Sequence, residues 1–306
     1  MTLYRSLRTH CRDFTLYVLC LDQDTHALLS GMNRSDLVPI DLRDIETWDP
    51  ALQTAKSNRS LIEYYFTLSP ILPLFVLETY GPIELITYVD ADIFFYASPD
   101  PIFDELGKRS ILTIEHRFPD HLKHREILGR FNVQFLSFRN DDQGMACLNR
   151  WRTQCLEWCY DRPEGDKFAD QKYLDTWPVE YRRLVVLQHK GAGVGPWNWS
   201  TYPMRLNNGR LTVADAPLIF YHFHGLKILS RRFISLGMYR YDRMPVRLRK
   251  WLYGGYVREL RNTSLWLDAC ADRVVEAAYT DIRGRQSRIM ALLAAFASRQ
   301  LMRVSG

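Results

Sequence analysis

The chain has 306 residues, 47% of them hydrophobic and 25% charged, with a net charge of +5. A chain of this size and composition buries a core of its own, which excludes a disordered or purely fibrous protein and allows one large domain or one domain with an extension. The charge is uneven: residues 1–225 hold 24 Lys+Arg against 29 Asp+Glu, a net of −5, and residues 226–306 hold 16 against 6, a net of +10. A basic final third is either a solvated helical face or a contact for an anionic partner, such as a membrane surface or an acidic glycolipid.

At the N-terminus, Arg5, Arg8 and Arg12 precede the apolar run 14–21. This superficially suggests a secretory leader, but Asp22, Gln23 and Asp24 end the run with no small-residue cleavage pattern. Residues 14–21 therefore read as the first buried strand and 37–42 as the second. Residues 59–78 have helical character, with Pro70 and Pro73 expected to kink or divide the helix. The run 83–89 is short, β-branched and apolar on both faces, the pattern of a central strand. It delivers Asp90 at its C-terminal end, where open α/β sheets place their ligands.

A short strand at 93–96 follows, then a turn through Ser98, Pro99, Asp100 and Pro101, and a strand at 111–114. Residues 132–138 alternate as a strand does, 143–160 have helical spacing, and 168–176 form a shorter helix. Strands at 184–187 and 218–221 flank the glycine-rich stretch 191–195, and from about Arg231 the pattern is helical and Arg-rich. Strands alternating with helices predict an α/β domain on a largely parallel sheet over residues 1–230, with a helical basic C-terminal extension at 231–306.

No run reaches the roughly 20 apolar residues of a bilayer span: 68–77 is interrupted by Pro70 and Pro73, and 289–297 is too short. A soluble or peripheral protein is expected, cytoplasmic or held at the inner face of the membrane. The six cysteines make no zinc set, although Cys155 and Cys159 lie four apart, and reduced thiols are expected.

The chemistry centres on Thr87-Tyr88-Val89-Asp90-Ala91-Asp92. In extended backbone, side chains at i and i+2 share a face, so Asp90 and Asp92 can approach one cation. Magnesium and manganese take such hard oxygen ligands and bridge to diphosphate oxygens. A second strand end, Tyr221-His222-Phe223-His224-Gly225, supplies imidazoles that could complete the metal shell.

These residues resemble the GT-A-fold (Rossmann-like) glycosyltransferases, and glycosyltransferase family 8 in particular, over roughly residues 14–228. Tyr88-Val89-Asp90-Ala91-Asp92 is similar to that family's metal-binding Asp-x-Asp, and His222 with Gly225 to its His-x-x-Gly. The resemblance implies Asp90, Asp92 and His222 as ligands of Mn²⁺ or Mg²⁺, with His224 the lesser candidate. Phe131-Asn132-Val133-Gln134 resembles the family's Phe-Asn-x-Gly strand, with Gln134 in place of glycine. Asp170-Gln171 is similar to the segment that reaches the reacting sugar, and Trp197-Asn198 to the aromatic-Asn pair after it. The family's helix arginine is replaced by Phe66, leaving Arg59 or Lys56 as phosphate donors, and Lys227 stands for the family lysine.

Glycosyl transfer needs a departing diphosphate stabilised by a dication and a cationic side chain, here Lys227 and Arg59. The oxocarbenium-like sugar needs a carboxylate or amide, for which Asp170 and Gln171 are the candidates. Asp170 could equally be a helix-start aspartate with no catalytic duty. Cys20, Leu21 and Asp22, at the tip of the first strand, are expected near the nucleotide base and ribose, or form a simple turn. Ala91 and Asn132 complete the donor-binding set.

The expected reaction moves a sugar from a nucleotide-diphosphate sugar, UDP favoured, to a glycan or glycolipid hydroxyl, with retention implied by the resemblance. A nucleotidyltransferase would need a glycine-rich phosphate loop near the first strand, and residues 19–25 contain no glycine. A carbohydrate- or nucleic-acid-binding module would leave the Asp90–Asp92 pair without a purpose, and no nucleic-acid partner is expected. Residues 245–261 mix aromatic and basic side chains and could pack on the body, meet a membrane, touch acceptor sugars or form a dimer contact.

Overall fold

The computed structural model describes residues 1–230, 233–270 and 301–303. The remainder of the expected extension, including the apolar run 289–297, lies outside the described residues. The chain forms two compact units and passes between them more than once: one comprises Arg12–Asp90 and Pro99–His189, the other Met1–Cys11, Ala91–Ser98 and the described residues from Lys190 onward.

The first unit is α/β. Its four-stranded sheet runs Leu85–Val89, Phe131–Arg139, Ile111–Glu115, Leu184–Val186 in spatial order. Phe131–Arg139 pairs antiparallel with both neighbours, and Ile111–Glu115 pairs parallel with Leu184–Val186. Leu16–Cys20 and Leu37–Asp41 form a separate parallel pair. The four-stranded sheet is thus mixed in direction. Leu85–Val89 lies at the edge of its sheet, whereas the sequence pattern reads as a central strand. An apolar run on both faces records only that both faces are covered, and Ile86 does pack against two buried clusters. Sheet order is left open by that pattern.

Helix Leu61–Thr79 opens with a capping box, in which Ser60 and Glu63 each satisfy the other's backbone N–H. It continues through Pro70 and Pro73. These prolines remove two backbone donors, yet the helix persists because nearly every side chain from Thr67 to Leu77 is buried. The same burial accounts for a length and hydropathy that would suit a membrane span, which no other helix among the described residues has. Together with helix Asp142–Glu157 it buries Leu74, Leu77, Phe138, Leu148 and Trp151 in one cluster, with Trp177 edge-on to Trp151.

The second unit is built around the antiparallel pair Ile93–Phe95 and Phe220–His222. Helix Thr2–His10, which the sequence pattern does not reveal, packs against this pair; Ser6 Oγ accepts the Phe95 N–H at 3.1 Å. Leu3, Tyr4 and Leu7 share one face, with Arg5 and Arg8 off it, an amphipathic pattern confined to nine residues. Strands Met204–Asn207 and Arg210–Val213 form a hairpin, and Lys227–Ser230 pairs with Phe233–Ser235, which pairs in turn with Leu301–Arg303.

The boundary expected at residue 230 therefore falls inside a hairpin. Helix Val246–Cys270 runs unbroken through Gly254 and Gly255. It buries Leu248, Leu252, Tyr253, Tyr256 and Val257 in the same cluster as Tyr221 and Phe223. Tyr256 stacks flat on Phe223, centroids 3.8 Å apart, and Trp251 stacks on Tyr96. Trp251, Tyr253 and Tyr256 thus serve packing.

Candidate functional site

Asp92 lies in a turn immediately before Ile93–Phe95, and that strand pairs Ile93 with His222. The Phe223 N–H closes the ladder on the Asp92 carbonyl at 2.9 Å. These bonds bring Asp92 Oδ1 to 2.8 Å from His222 Nε2. His224, two residues on, joins them: one ligand atom from each of Asp92, His222 and His224 lies within 4.8 Å of the others. Burial tends to raise the Asp92 pKa, but attraction to His222, its hydrogen bond and His224 together hold it below the ordinary carboxyl value. Loss of water on its inner side, with the His222 imidazole second, pushes the His224 pKa down to about 4, although its outer edge is exposed. Both features favour an anionic carboxylate beside a neutral imidazole at neutral pH.

The glycine-rich loop shapes this centre. Hydrogen bonds from Ile219 to the Gly191 carbonyl and from His222 to the Val194 carbonyl lay the loop beside the late strand. Asn198 accepts from the Gly195 N–H and donates to the Gly193 carbonyl, each at 2.9 Å, closing a tight turn. Trp197 is thereby set edge-on against both imidazoles, at 5.3 Å from His222 and 6.0 Å from His224. A Cβ on Gly195 would lie 2.5 Å from the indole, so only glycine fits there. Lys227 begins the next strand, two residues past Gly225, which takes a left-handed φ of 76°.

The other carboxyl candidates lie in the first unit. Asp90 ends Leu85–Val89; its N–H donates to the Gln134 carbonyl and Tyr88 Oη donates to its Oδ1, both at 3.0 Å. Residues 90–92 are not continuous strand but lead into a turn, so the shared-face argument for Asp90 and Asp92 does not describe this backbone. Asp170 is buried, and the desolvation of its carboxyl outweighs a hydrogen bond with Ser69 and, with a lesser repulsion from Asp90, pushes its pKa up to about 7. Its carbonyl accepts Trp151 Nε1–H at 2.8 Å, and the preceding Ala169 has φ 46°, a left-handed conformation unusual for alanine. The short helix begins at Lys172 with Gln171 as its cap, so the helix-start alternative for Asp170 does not hold. Gln171 instead donates to the Leu128 carbonyl at 2.8 Å.

Asn132 is buried; its Oδ1 accepts the Gln134 N–H and its amide lies 2.8 Å from His116 Nε2, leaving His116 Nδ1 directed at the Arg130 carbonyl. Cys20 pairs with Asp41 at the ends of two parallel strands, and burial raises its thiol pKa to about 11. Leu21 is exposed, and Asp22 caps helix Gln23–Ser30 by accepting the Thr25 N–H at 2.7 Å. Arg59 serves elsewhere: its guanidinium donates to the Cys155 and Leu156 carbonyls at 2.6 Å and to Thr67 Oγ1, at the C-terminal end of helix Asp142–Glu157. Lys56 pairs with Glu46 at 2.7 Å. Both cations thus have partners within the first unit.

Ser69, His116 and the packing role of Trp197 carry no signal of their own in the sequence. Ser69 sits amid an apolar helix, and nothing local links it to Asp170.

The fold and site define an α/β protein with a two-histidine, one-carboxylate cluster in its second unit and a buried carboxyl network in its first. It belongs to the family of YfnD and YfnF of Bacillus subtilis strain 168. It is 31% identical to the uncharacterized protein YfnD over 284 residues, covering 92% of this chain and 88% of the relative. It is 36% identical to the uncharacterized protein YfnF over 242 residues, covering 75% and 78%. No family model matches the chain. Among solved structures it is similar to apo mouse xyloside xylosyltransferase 1, at 12% identity and a TM-score of 0.44, covering 73% of this chain and 90% of the other.

Proposed function

We propose that the protein is a metal-dependent glycosyltransferase that takes a sugar from a nucleotide-diphosphate sugar, UDP favoured, and transfers it with retention to a glycan or glycolipid hydroxyl. The observation that carries this reading is the pairing of Asp92 with His222, far apart in the chain yet 2.8 Å apart in space. Each residue belongs to a motif that resembles one of the two metal-binding elements of the same enzyme class.

The donor set suits a divalent ion. One carboxylate and two imidazoles favour Mn²⁺ over Mg²⁺, because nitrogen ligands suit the softer ion. Asp92 and His222 would hold it; Asp90 enters on the Asp-x-Asp pattern, and His224 is the imidazole the cluster adds. A dication there offsets the charge of a departing diphosphate. Lys227 would supply a second positive charge to that group. Cys20, Leu21 and Asp22 would meet the base and ribose, with Ala91 and Asn132 along the donor. Asp170, with Gln171, would face the reacting sugar.

The test is binding of UDP to the purified protein, followed by calorimetry. Binding that vanishes with EDTA and returns with Mn²⁺, together with sugar release from a UDP-sugar, is expected. A protein that forms a UDP-sugar from a sugar phosphate and UTP would instead be a nucleotidyltransferase, and binding insensitive to EDTA would remove the metal from the mechanism.

A further inference from the structure

The outward face of helix Val246–Cys270 has a composition that core packing does not explain. Arg247, Lys250 and Arg258 recur at helical spacing and are exposed, as is Arg243 just before the helix. Leu265 lies on the same face and is 58% exposed, and Val246, the first residue of the helix, is 54% exposed. A Cβ at Gly254, in the middle of the face, would meet nothing within 4 Å. Helix Val246–Cys270 carries two acidic residues: Glu259, which points away, 2.9 Å from Arg5, and Asp268 in the last turn, ten residues beyond Arg258. None of Arg243, Arg247, Lys250 or Arg258 makes an ion pair with another described residue.

An ordinary solvated helix surface intersperses acids with bases, which limits self-repulsion. Here one sign of charge is concentrated on a rigid helix whose opposite face is locked into the core through Leu252, Tyr253 and Tyr256. Cations with exposed aliphatic side chains at both ends complement a surface that is anionic and apolar just beneath. A nucleic acid would use the cations but not Val246 or Leu265. We infer that this face is a docking surface for an anionic lipid bilayer, with Arg243, Arg247, Lys250 and Arg258 contacting headgroups. The inference does not depend on the proposed catalytic activity.

The experiment is co-sedimentation of the full chain with vesicles of equimolar phosphatidylglycerol and phosphatidylcholine, against vesicles of phosphatidylcholine alone. The wild-type protein is expected to sediment with the anionic vesicles only, and less so as salt is raised. The combined variant R247E/K250E/R258E should bind at least ~10-fold more weakly. A melting curve checks that it folds, and R247Q/K250Q/R258Q replaces it if it does not. Undiminished sedimentation of the folded variant would overturn the assignment. So would absence of wild-type binding to anionic vesicles, or a duplex RNA that outcompetes them for the protein.

Discussion

His222 Nε2 lies 2.8 Å from Asp92 Oδ1, one residue ending a strand and the other in the turn that opens its antiparallel partner. The ladder between Ile93–Phe95 and Phe220–His222 sets this distance, so the pair is held by backbone hydrogen bonds and not by side-chain chance. Removing either side chain should therefore change ion binding without unravelling the strand pair.

Loss of residues outside a coordination shell already weakens metal binding by about 10- to 100-fold. Asp92→Asn and His222→Gln are each expected to weaken Mn²⁺ binding by at least ~10-fold, read by isothermal titration. His224→Gln measures whether the third group takes part. Wild-type affinity in both of the first two variants would dismantle the proposed centre.

The Gly195→Ala substitution drives a methyl group to 2.5 Å from the Trp197 indole, which backs both imidazoles. Because the ring is buried, it must shift and take the imidazoles with it. Overpacking of this kind costs about 1–3 kcal/mol. A lowered melting temperature together with weaker Mn²⁺ binding is expected; a change in melting temperature alone would show that Trp197 does not orient the ligands.

Asp170 has a folded-state pKa of about 7, raised from 3.8 chiefly by burial. Between those values the unfolded chain releases a proton that the folded chain keeps, so stability falls as pH rises through that window. Each pKa unit corresponds to about 1.4 kcal/mol. In EDTA, Asp170→Asn should gain on the wild type in melting temperature from pH 4 to pH 7 and hold that gain above it. A difference constant with pH would mean that the carboxyl is ionised throughout.

Arg59 donates to two carbonyls at the end of helix Asp142–Glu157 and to Thr67. Hydrogen bonds from a charged group contribute roughly 1.5–3 kcal/mol. Arg59→Met is expected to lower urea stability by about 2–3 kcal/mol, and Arg59→Lys to recover little, since an ammonium cannot reproduce the fork. Unchanged stability with weakened UDP binding would return Arg59 to the phosphate role.

Local features are legible along the chain. Short apolar runs mark the strands near 16–20, 85–89, 111–115 and 184–186, because covered faces leave a continuous apolar signature, and alternation marks the one near 131–139. The same pattern places Asp90, Asp92 and His222 at strand ends, since strand ends are legible wherever an apolar run stops. The tertiary structure alone decided which ends meet. Pairing of Ile93–Phe95 with Phe220–His222 joins Asp92 to His222 and draws in His224, and no local period encodes a partner so distant in the chain. Likewise the strand carrying Asp90 lies at a sheet edge, Arg59 caps a helix, and the tyrosines of helix Val246–Cys270 fill a core. Each outcome depends on contacts between segments, which a one-dimensional pattern of apolar and polar residues records only as burial, without naming the neighbour.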